Sequence, residues 1–328
     1  MNASYVLPLR RAGGPPPPEL TAYLTWLAER ADVIVVDGSP PAVRDGHAAA
    51  WTALPLRNVS PDPDVTTLNG KVAGVLTGLR LARCERVVIA DDDVRYDDAG
   101  LRRVVALLDE AELVRPQNFF DPCPWHARWD TARTLLNRAI GGDYPGTLGV
   151  RRSAVPAGYD GDVLFENLEL MRTVQARGGR ILTPLDCYVR RLPPPAGHFW
   201  SQRVRQAYDD LAQPARLATV LLIVPAMARW SRRRRWHRLA AAAGAAVLAA
   251  EAGRRRAGGQ AVFPLSASLL APVWLVERGV CSWLAIANRV VRGGCPYHGT
   301  IIRRAASSPR DLRRRLSGTP RCGTGSWP

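Results

Sequence analysis

The chain has 328 residues, 47% hydrophobic and 23% charged, enough for one large folded domain or two smaller ones. Its net charge of +16 is uneven: from Arg216 onward 20 arginines face only Glu251, Glu277 and Asp311, so residues 1–215 are close to neutral. None of the six cysteines forms a C-x-x-C pair, which argues against a zinc site, and the apolar run near the N-terminus is too short for a signal-peptide pattern.

Residues 4–9 (SYVLPL) read as a first strand. The run GGPPPPEL is a stiff loop, with Pro18 fitting the first turn of a helix that carries Leu20, Tyr23, Leu24 and Leu27. Residues 32–37 (DVIVVD) form a second buried strand ending in Asp37-Gly38-Ser39-Pro40, and residues 53–57 suggest a third. A helix over 68–85 turns Val72, Val75, Leu76, Leu79 and Ala82 inward. The apolar run Val87–Ala90 is a strand buried on both faces, followed at once by Asp91, Asp92 and Asp93. Asp98 then caps a helix carrying Leu101, Val104, Val105 and Leu108. Strand–helix alternation with short links gives an α/β fold with a doubly wound, mostly parallel sheet. That topology puts Asp37 and the Asp91–Asp93 cluster on one carboxyl edge, where open α/β sheets bind ligands. Carboxylates in that place suit a hard divalent cation that bridges phosphates.

Residues 112–117 are a further strand, and 118–149 read as irregular and aromatic, with Phe119, Phe120, Trp125, His126, Trp129 and Tyr144. Aromatics and glycines around polar groups suit a sugar or acceptor cleft. A helix over 162–177 has Leu164, Leu168, Met171 and Val174 on one face and stops at Gly178-Gly179. Glu166 lies in its first turns, placed to act as a general base. Gln202, Arg205 and Gln206 fall on a later helix.

Taken in order, VIVVDGS, LNGK, the strand ending in DDD, Glu166-Asn167 and Gln202-x-x-Arg205 resemble glycosyltransferase family 2, with the GT-A fold, in its ceramide-glucosyltransferase-like branch. The resemblance covers about residues 4–210. It implies that Asp37 and Lys71 contact the nucleotide part of a nucleotide-diphosphate sugar. Asp91 and Asp93 would hold Mg2+ or Mn2+ against the diphosphate, with Asp92 beside them on the donor side. Glu166, Gln202 and Arg205 would be catalytic, and transfer would invert the anomeric carbon. Two positions depart from the pattern. Asn167 stands where the family carries an Asp, so the base is Glu166, or Asp162 or Glu169 nearby. Gln206 stands where the family carries a Trp, against a processive, polymer-making enzyme.

Three apolar stretches follow, 217–228, 239–250 and 261–276, the last continuing to 291; each is shorter than the roughly 20 residues of a comfortable span. Arg232–Arg235 and Arg254–Arg256 separate them, which suits interfacial or re-entrant helices, or a short hairpin, for the first two, against anionic lipid and with Trp230, Trp236, Trp274 and Trp283 as anchors. Because the arginines flank apolar runs rather than alternate with aromatics, nucleic acid is not the expected partner. The expected segments are a GT-A domain over 1–212, a membrane-associated helical region over 213–304 and a disordered basic tail over 305–328. The expected function is sugar transfer to a lipid-linked or hydrophobic acceptor at the cell membrane, from a catalytic domain on the cytoplasmic side. The alternatives are an impaired sugar-nucleotide-binding protein and a nucleotidyltransferase; GGPPPPEL is a poor phosphate loop for the latter.

Overall fold

A computed structural model describes residues 1–317. In chain order its elements begin with β1 (Ser4–Leu9), α1 (Pro18–Ala28), β2 (Asp32–Asp37), α2 (Pro41–Trp51), β3 (Arg57–Val59), α3 (Gly70–Leu81), β4 (Arg86–Ala90), β5 (Val94–Arg95), α4 (Asp98–Leu107) and β6 (Leu113–Val114). There follow β7 (Gln117–Phe120), α5 (Trp125–Ile140), β8 (Thr147–Arg151), α6 (Glu166–Ala176), β9 (Ile181–Leu182), β10 (Tyr188–Arg191), α7 (Ala196–Ser201) and α8 (Arg203–Tyr208). The last are α9 (Pro214–Arg232), α10 (Trp236–Arg255), α11 (Leu265–Leu269), α12 (Ala271–Val291), β11 (Cys295–Tyr297), β12 (Thr300–Ile302) and α13 (Pro309–Ser317). The chain divides into two compact units: residues 1–116, 146–183 and 307 onward, and residues 117–145 with 184–306. These units cut the chain differently from the expected segments at 212 and 304.

The first unit is built on a seven-stranded sheet in the order β3-β2-β1-β4-β8-β6-β9. β1 pairs in parallel with both β2 and β4, β2 with β3, and β6 with β9; β8 runs antiparallel between β4 and β6. The mostly parallel α/β sheet expected from the sequence is therefore present, with one antiparallel strand inserted. Its central strands are apolar because both faces are covered: Val6, Ile34, Val88 and Val150 are fully buried. α3 presses close on β1, and a Cβ at Gly78 would stand 2.2 Å from Val6 Cγ1, so only glycine permits that approach.

Several boundaries differ from the sequence reading. Residues 41–51 form a helix ahead of β3, which begins at Arg57 rather than at residue 53. Asp97, not Asp98, caps α4, its carboxylate accepting from Gly100 N. Residues 118–149 are not irregular; they hold the 16-residue helix α5 and most of β8. α6 starts at Glu166, so Asp162 lies before the helix and not on its face. Residues 309–317, expected to be disordered, form α13, which buries Leu312. The rest of that tail, from 318, lies outside the described residues.

The second unit is helical, with β7 and β10 paired in parallel and β11 and β12 antiparallel. α10 lies against α5 so closely that a Cβ at Gly253 would be 1.9 Å from Leu135 O. Their contact belongs to a core of Ala132, Leu135, Ala246, Ala250, Phe263, Ala267, Ala271 and Trp274. Trp274 is thus a core residue rather than an interface anchor, while Trp236 and Trp283 are 60% and 47% exposed. Among the described residues no helix is long and apolar enough to cross a membrane.

Two buried acids in this unit are paired with arginines. Arg278 donates to both oxygens of Asp210 at 2.7 and 2.8 Å, and Arg216 approaches the same carboxylate at 3.0 Å. Asp130 sits between Arg133 and Arg203; burial alone would raise its pKa, but the two guanidinium groups hold it well below the usual carboxylate range. Asp210→Ala leaves the Arg278 guanidinium buried without its carboxylate. The expected cost is about 3–5 kcal/mol of unfolding free energy, read as an earlier denaturant midpoint. An unchanged midpoint would show that the pair adds no net stability.

Candidate active site

Parallel pairing of β2, β1 and β4 brings three strand ends to one edge. β1 runs into Arg10 and Arg11, β2 ends in Asp37, and β4 runs into Asp91, Asp92 and Asp93. The link from β2 is drawn against β1 by a Gly38 N–H donated to Leu9 O at 2.8 Å.

Glu166 and Lys71 reach this edge through a stitched pair of loops. Asn69 caps α3 by accepting from Lys71 N at 3.1 Å, and its amide donates to Val163 O at 3.0 Å. Asn69 N donates to Gly161 O, and Leu68 N to Asp162 Oδ1 at 2.9 Å. A Cβ on Gly161 would lie 2.4 Å from Thr67 Cγ2, so the two loops meet only with glycine there. The result is a three-residue cluster: Lys71 Nζ stands 2.5 Å from Asp91 Oδ1 and 2.7 Å from Glu166 Oε1. Burial opposes charge on Lys71, but the two carboxylates outweigh it and hold its pKa above the ordinary lysine value. The buried Tyr159 phenol is pushed up by burial and by Glu166. Glu166 also opens α6, where a carboxylate meets the positive end of the helix dipole.

The other acids sort differently. Asp92 pairs with Arg11 at 3.6 Å, and its backbone carbonyl accepts from Arg95 at 2.7 Å. Asp93 is half-buried next to it. Asp37 is fully buried: Oδ1 accepts from Ser39 N at 2.9 Å and Oδ2 lies 2.6 Å from His47 Nδ1. Direct contact with a nucleotide, expected of Asp37, does not fit this burial. Its carboxylate instead fixes the turn at Ser39, whose hydroxyl accepts from Arg11 N. Nor do the two alternative bases join the cluster. Asp162 is exposed and serves as the acceptor for Leu68 N. Glu169 is fully buried and accepts from Ser307 N at 2.6 Å.

Gln202 and Arg205 belong to the second unit. Gln202 falls at the junction of α7 and α8, not inside one helix, and its Oε1 accepts from Arg205 Nε at 2.5 Å. The Arg205 guanidinium lies over the Tyr297 ring at 5.7 Å. Gln206, in the family's Trp position, accepts from Arg203.

Among the described residues no group of three or more His, Cys, Asp or Glu side chains is arranged to hold a metal ion. Asp91 already faces Lys71 through one oxygen. The residues present therefore fit a cation only where a ligand's own oxygens complete its shell, as phosphate oxygens do.

Sequence reasoning missed Arg11 and His47. His47 and Trp51 stand four residues apart on α2 with stacked rings 5.2 Å apart, and that i, i+4 spacing was the available signal.

The architecture is thus that of an α/β protein with an acidic, lysine-bridged cluster at the carboxyl edge of its parallel strands. No family model matches the chain, and no curated protein matches it. Among solved structures it is similar to the mannosyltransferase PcManGT from Pyrobaculum calidifontis, in complex with GDP-Man and Mn2+. That likeness has 19% identity over 86% of this chain and 87% of that one, with a TM-score of 0.49. It is also similar to mannosyl-3-phosphoglycerate synthase from Rubrobacter xylanophilus, at 15% identity over 62% and 71% with a TM-score of 0.42. A third is glucosyl-3-phosphoglycerate synthase from M. tuberculosis in complex with Mn2+, UDP and glucosyl-3-phosphoglycerate, at 16% identity over 63% and 77% with a TM-score of 0.42.

Proposed function

We propose that the chain is an inverting glycosyltransferase that moves a sugar from a nucleotide-diphosphate donor to a hydroxyl of a lipid-linked or hydrophobic acceptor. The observation that carries this reading is the Lys71–Asp91–Glu166 cluster at the carboxyl edge of β4, beside Asp92 and Asp93. The ordered sequence motifs point to the same chemistry.

In this reading Glu166 takes the proton from the attacking hydroxyl. Lys71 supplies fixed positive charge beside it, where charge develops on the donor. Asp91 and Asp93 would hold Mg2+ or Mn2+, a hard divalent cation that would supply positive charge against the diphosphate leaving group. Asp37 acts as a positioning residue through the Ser39 turn. In the second unit Gln202 accepts from Arg205 Nε; a role for Arg205 at the departing diphosphate is what the family resemblance implies. Asn167 favours a second reading, a sugar-nucleotide-binding protein without turnover.

Calorimetry with UDP and with GDP, each with and without Mn2+, tests the donor site. Mn2+ is expected to tighten binding of one of them, and Asp93→Ala to abolish that gain while the fold persists. Equal metal-dependent affinity in wild type and variant overturns the assignment of Asp93.

The membrane part of the reading rests on the second unit's surface. Leu222, Val280 and Leu284 on α9 and α12 are 66%, 46% and 49% exposed, and Arg229 and Arg232 lie in the last turn of α9, before the exposed Trp236 that opens α10. Apolar side chains beside arginines suit an anionic interface from the cytoplasmic side, each arginine contributing about 1 kcal/mol. The protein is expected to float with vesicles containing anionic lipid and to remain bound in high salt. Full release by salt would leave only electrostatic attachment. No flotation at all would remove the membrane from the proposal.

A further inference from the structure

The second unit carries an aromatic surface that neither its core nor the proposed chemistry uses. Trp125, the first residue of α5, and Trp200, in α7, are 52% and 49% exposed. Their ring centroids are 6.1 Å apart and their planes are inclined by 41°, so two indole faces form an open corner. The corner is rigid from beneath. Phe199, 3% exposed, meets Trp125 and Trp200 edge-on at 6.1 and 5.0 Å. The Arg203 guanidinium lies over the Phe199 ring at 4.3 Å. Trp129 meets Trp200 edge-on at 5.8 Å and donates its indole N–H to Glu277 at 3.1 Å. His126 Nε2 lies 2.8 Å from Pro194 O, tying the start of α5 to the segment that leads into α7.

A cluster built for packing alone buries its largest rings. Here Phe199 and His126 are buried while two of the three indoles stand half in water, at a cost proportional to the apolar area left wet. The edge of the corner is polar. Arg128, one turn after Trp125, is exposed, and its Nε donates to Cys123 O. Ser201 is exposed and accepts from Gln202 Nε2 at 3.3 Å.

Flat apolar faces edged by hydrogen-bonding groups match one chemistry closely. A pyranose ring presents C–H bonds on its face and hydroxyls around its rim. A lipid tail calls for an apolar rim; the exposed aliphatic side chains of this unit lie mostly on α9 to α12, and Ile140 is at the opposite end of α5 from Trp125. We propose that Trp125 and Trp200 form a saccharide-binding platform that takes a pyranose ring of a glycan, with Arg128 and Ser201 as hydroxyl partners. This goes beyond the donor and acceptor-hydroxyl chemistry assigned above. It rests on the glycosyltransferase reading only for its purpose, which is to hold the sugar part of an acceptor.

The test is saturation-transfer NMR on the full chain with maltose and cellobiose as probes. Signal is expected on ring C–H protons of at least one probe. Trp125→Ala and Trp200→Ala should each weaken that association about tenfold, the scale of a lost stacking contact. Trp200→Tyr should restore it to within about threefold, since a smaller aromatic face remains. Ile140→Ala, at a 91% exposed apolar position on the same helix as Trp125, should change nothing. The platform is overturned if neither sugar receives saturation, or if the alanine variants bind as wild type does. It is also overturned if those variants lose only binding to anionic vesicles, which would make the corner a lipid contact. Metal-dependent UDP and GDP binding, measured on the same samples, reports separately on the donor site.

Discussion

Glu166→Gln lowers turnover ~10²–10⁴-fold, the usual size of a missing general base, and leaves nucleotide-diphosphate affinity close to wild type. The amide keeps the shape of the side chain and an oxygen for Lys71 Nζ, now 2.7 Å away, so the cluster stays assembled. What it loses is the capacity to take a proton. The fall should therefore appear in kcat and kcat/KM together, as for an interaction made only in the transition state. Asp162→Asn is the matched control. Its carboxylate is exposed and engaged by Leu68 N, so its effect should be small and felt through the loop. If Asp162→Asn is inactive while Glu166→Gln turns over normally, the base is Asp162. If wild type binds a donor yet transfers with none, Asn167 marks a binding protein.

The parts of this arrangement that the sequence discloses are those encoded by apolar periodicity. β1, β2 and β4 are continuous apolar runs because both sheet faces are covered, and that the acids ending β2 and β4 share one edge follows from the parallel topology alone. α5 escapes the same reading because its buried side is largely polar. Asp130, Thr131, Thr134, Asn137 and Arg138 all face inward, satisfied by polar partners such as Ala127 O, Asp143 and Arg203, so no hydrophobic stripe marks the helix. α2 escapes because only His47 and Trp51 are buried. α13 reads as a solvated basic tail; what orders it is a few contacts, among them Leu312 in the core and Arg315 on Asp160 at 3.0 Å. The apolar stretches after residue 216 present the opposite difficulty. Alanine-rich α10 packs against α5 through Ala246, Ala250 and Gly253, so part of what reads as membrane surface is protein core. Juxtapositions across long sequence distances are not periodic at all. Lys71 meets Glu166 through two loops 95 residues apart, and only the Asn69 cap and the small Gly161 hint at that meeting.

Lys71→Met is expected to cost about 10²–10³-fold in kcat, comparable to removing one preorganised electrostatic donor, and to weaken nucleotide-diphosphate binding as well. The variant leaves Asp91 and Glu166 without the cation that separates them. Like charges then share a partly buried site, which raises the affinity of one carboxylate for a proton. The pH dependence separates this from a packing defect. In the wild type the two carboxylates hold Lys71 above its ordinary pKa against the effect of burial. A group raised in the folded state contributes stability that is complete below its unfolded pKa and is lost only as pH rises through the folded one. Wild-type cluster stability should thus be flat from neutral pH up to the ordinary lysine range, with any loss confined to more alkaline solution. The methionine variant should instead gain stability as pH falls into the carboxylate range, where protonation of one acid relieves the repulsion. Lys71→Arg keeps the charge but spreads it over a planar fork, so it should recover stability more fully than turnover. The chain offers a check without mutation, since Lys71 is its only lysine. Amine acylation then has a single side-chain target, and bound nucleotide diphosphate with Mn2+ should protect it. Equal rates of acylation with and without ligand would separate Lys71 from the donor site.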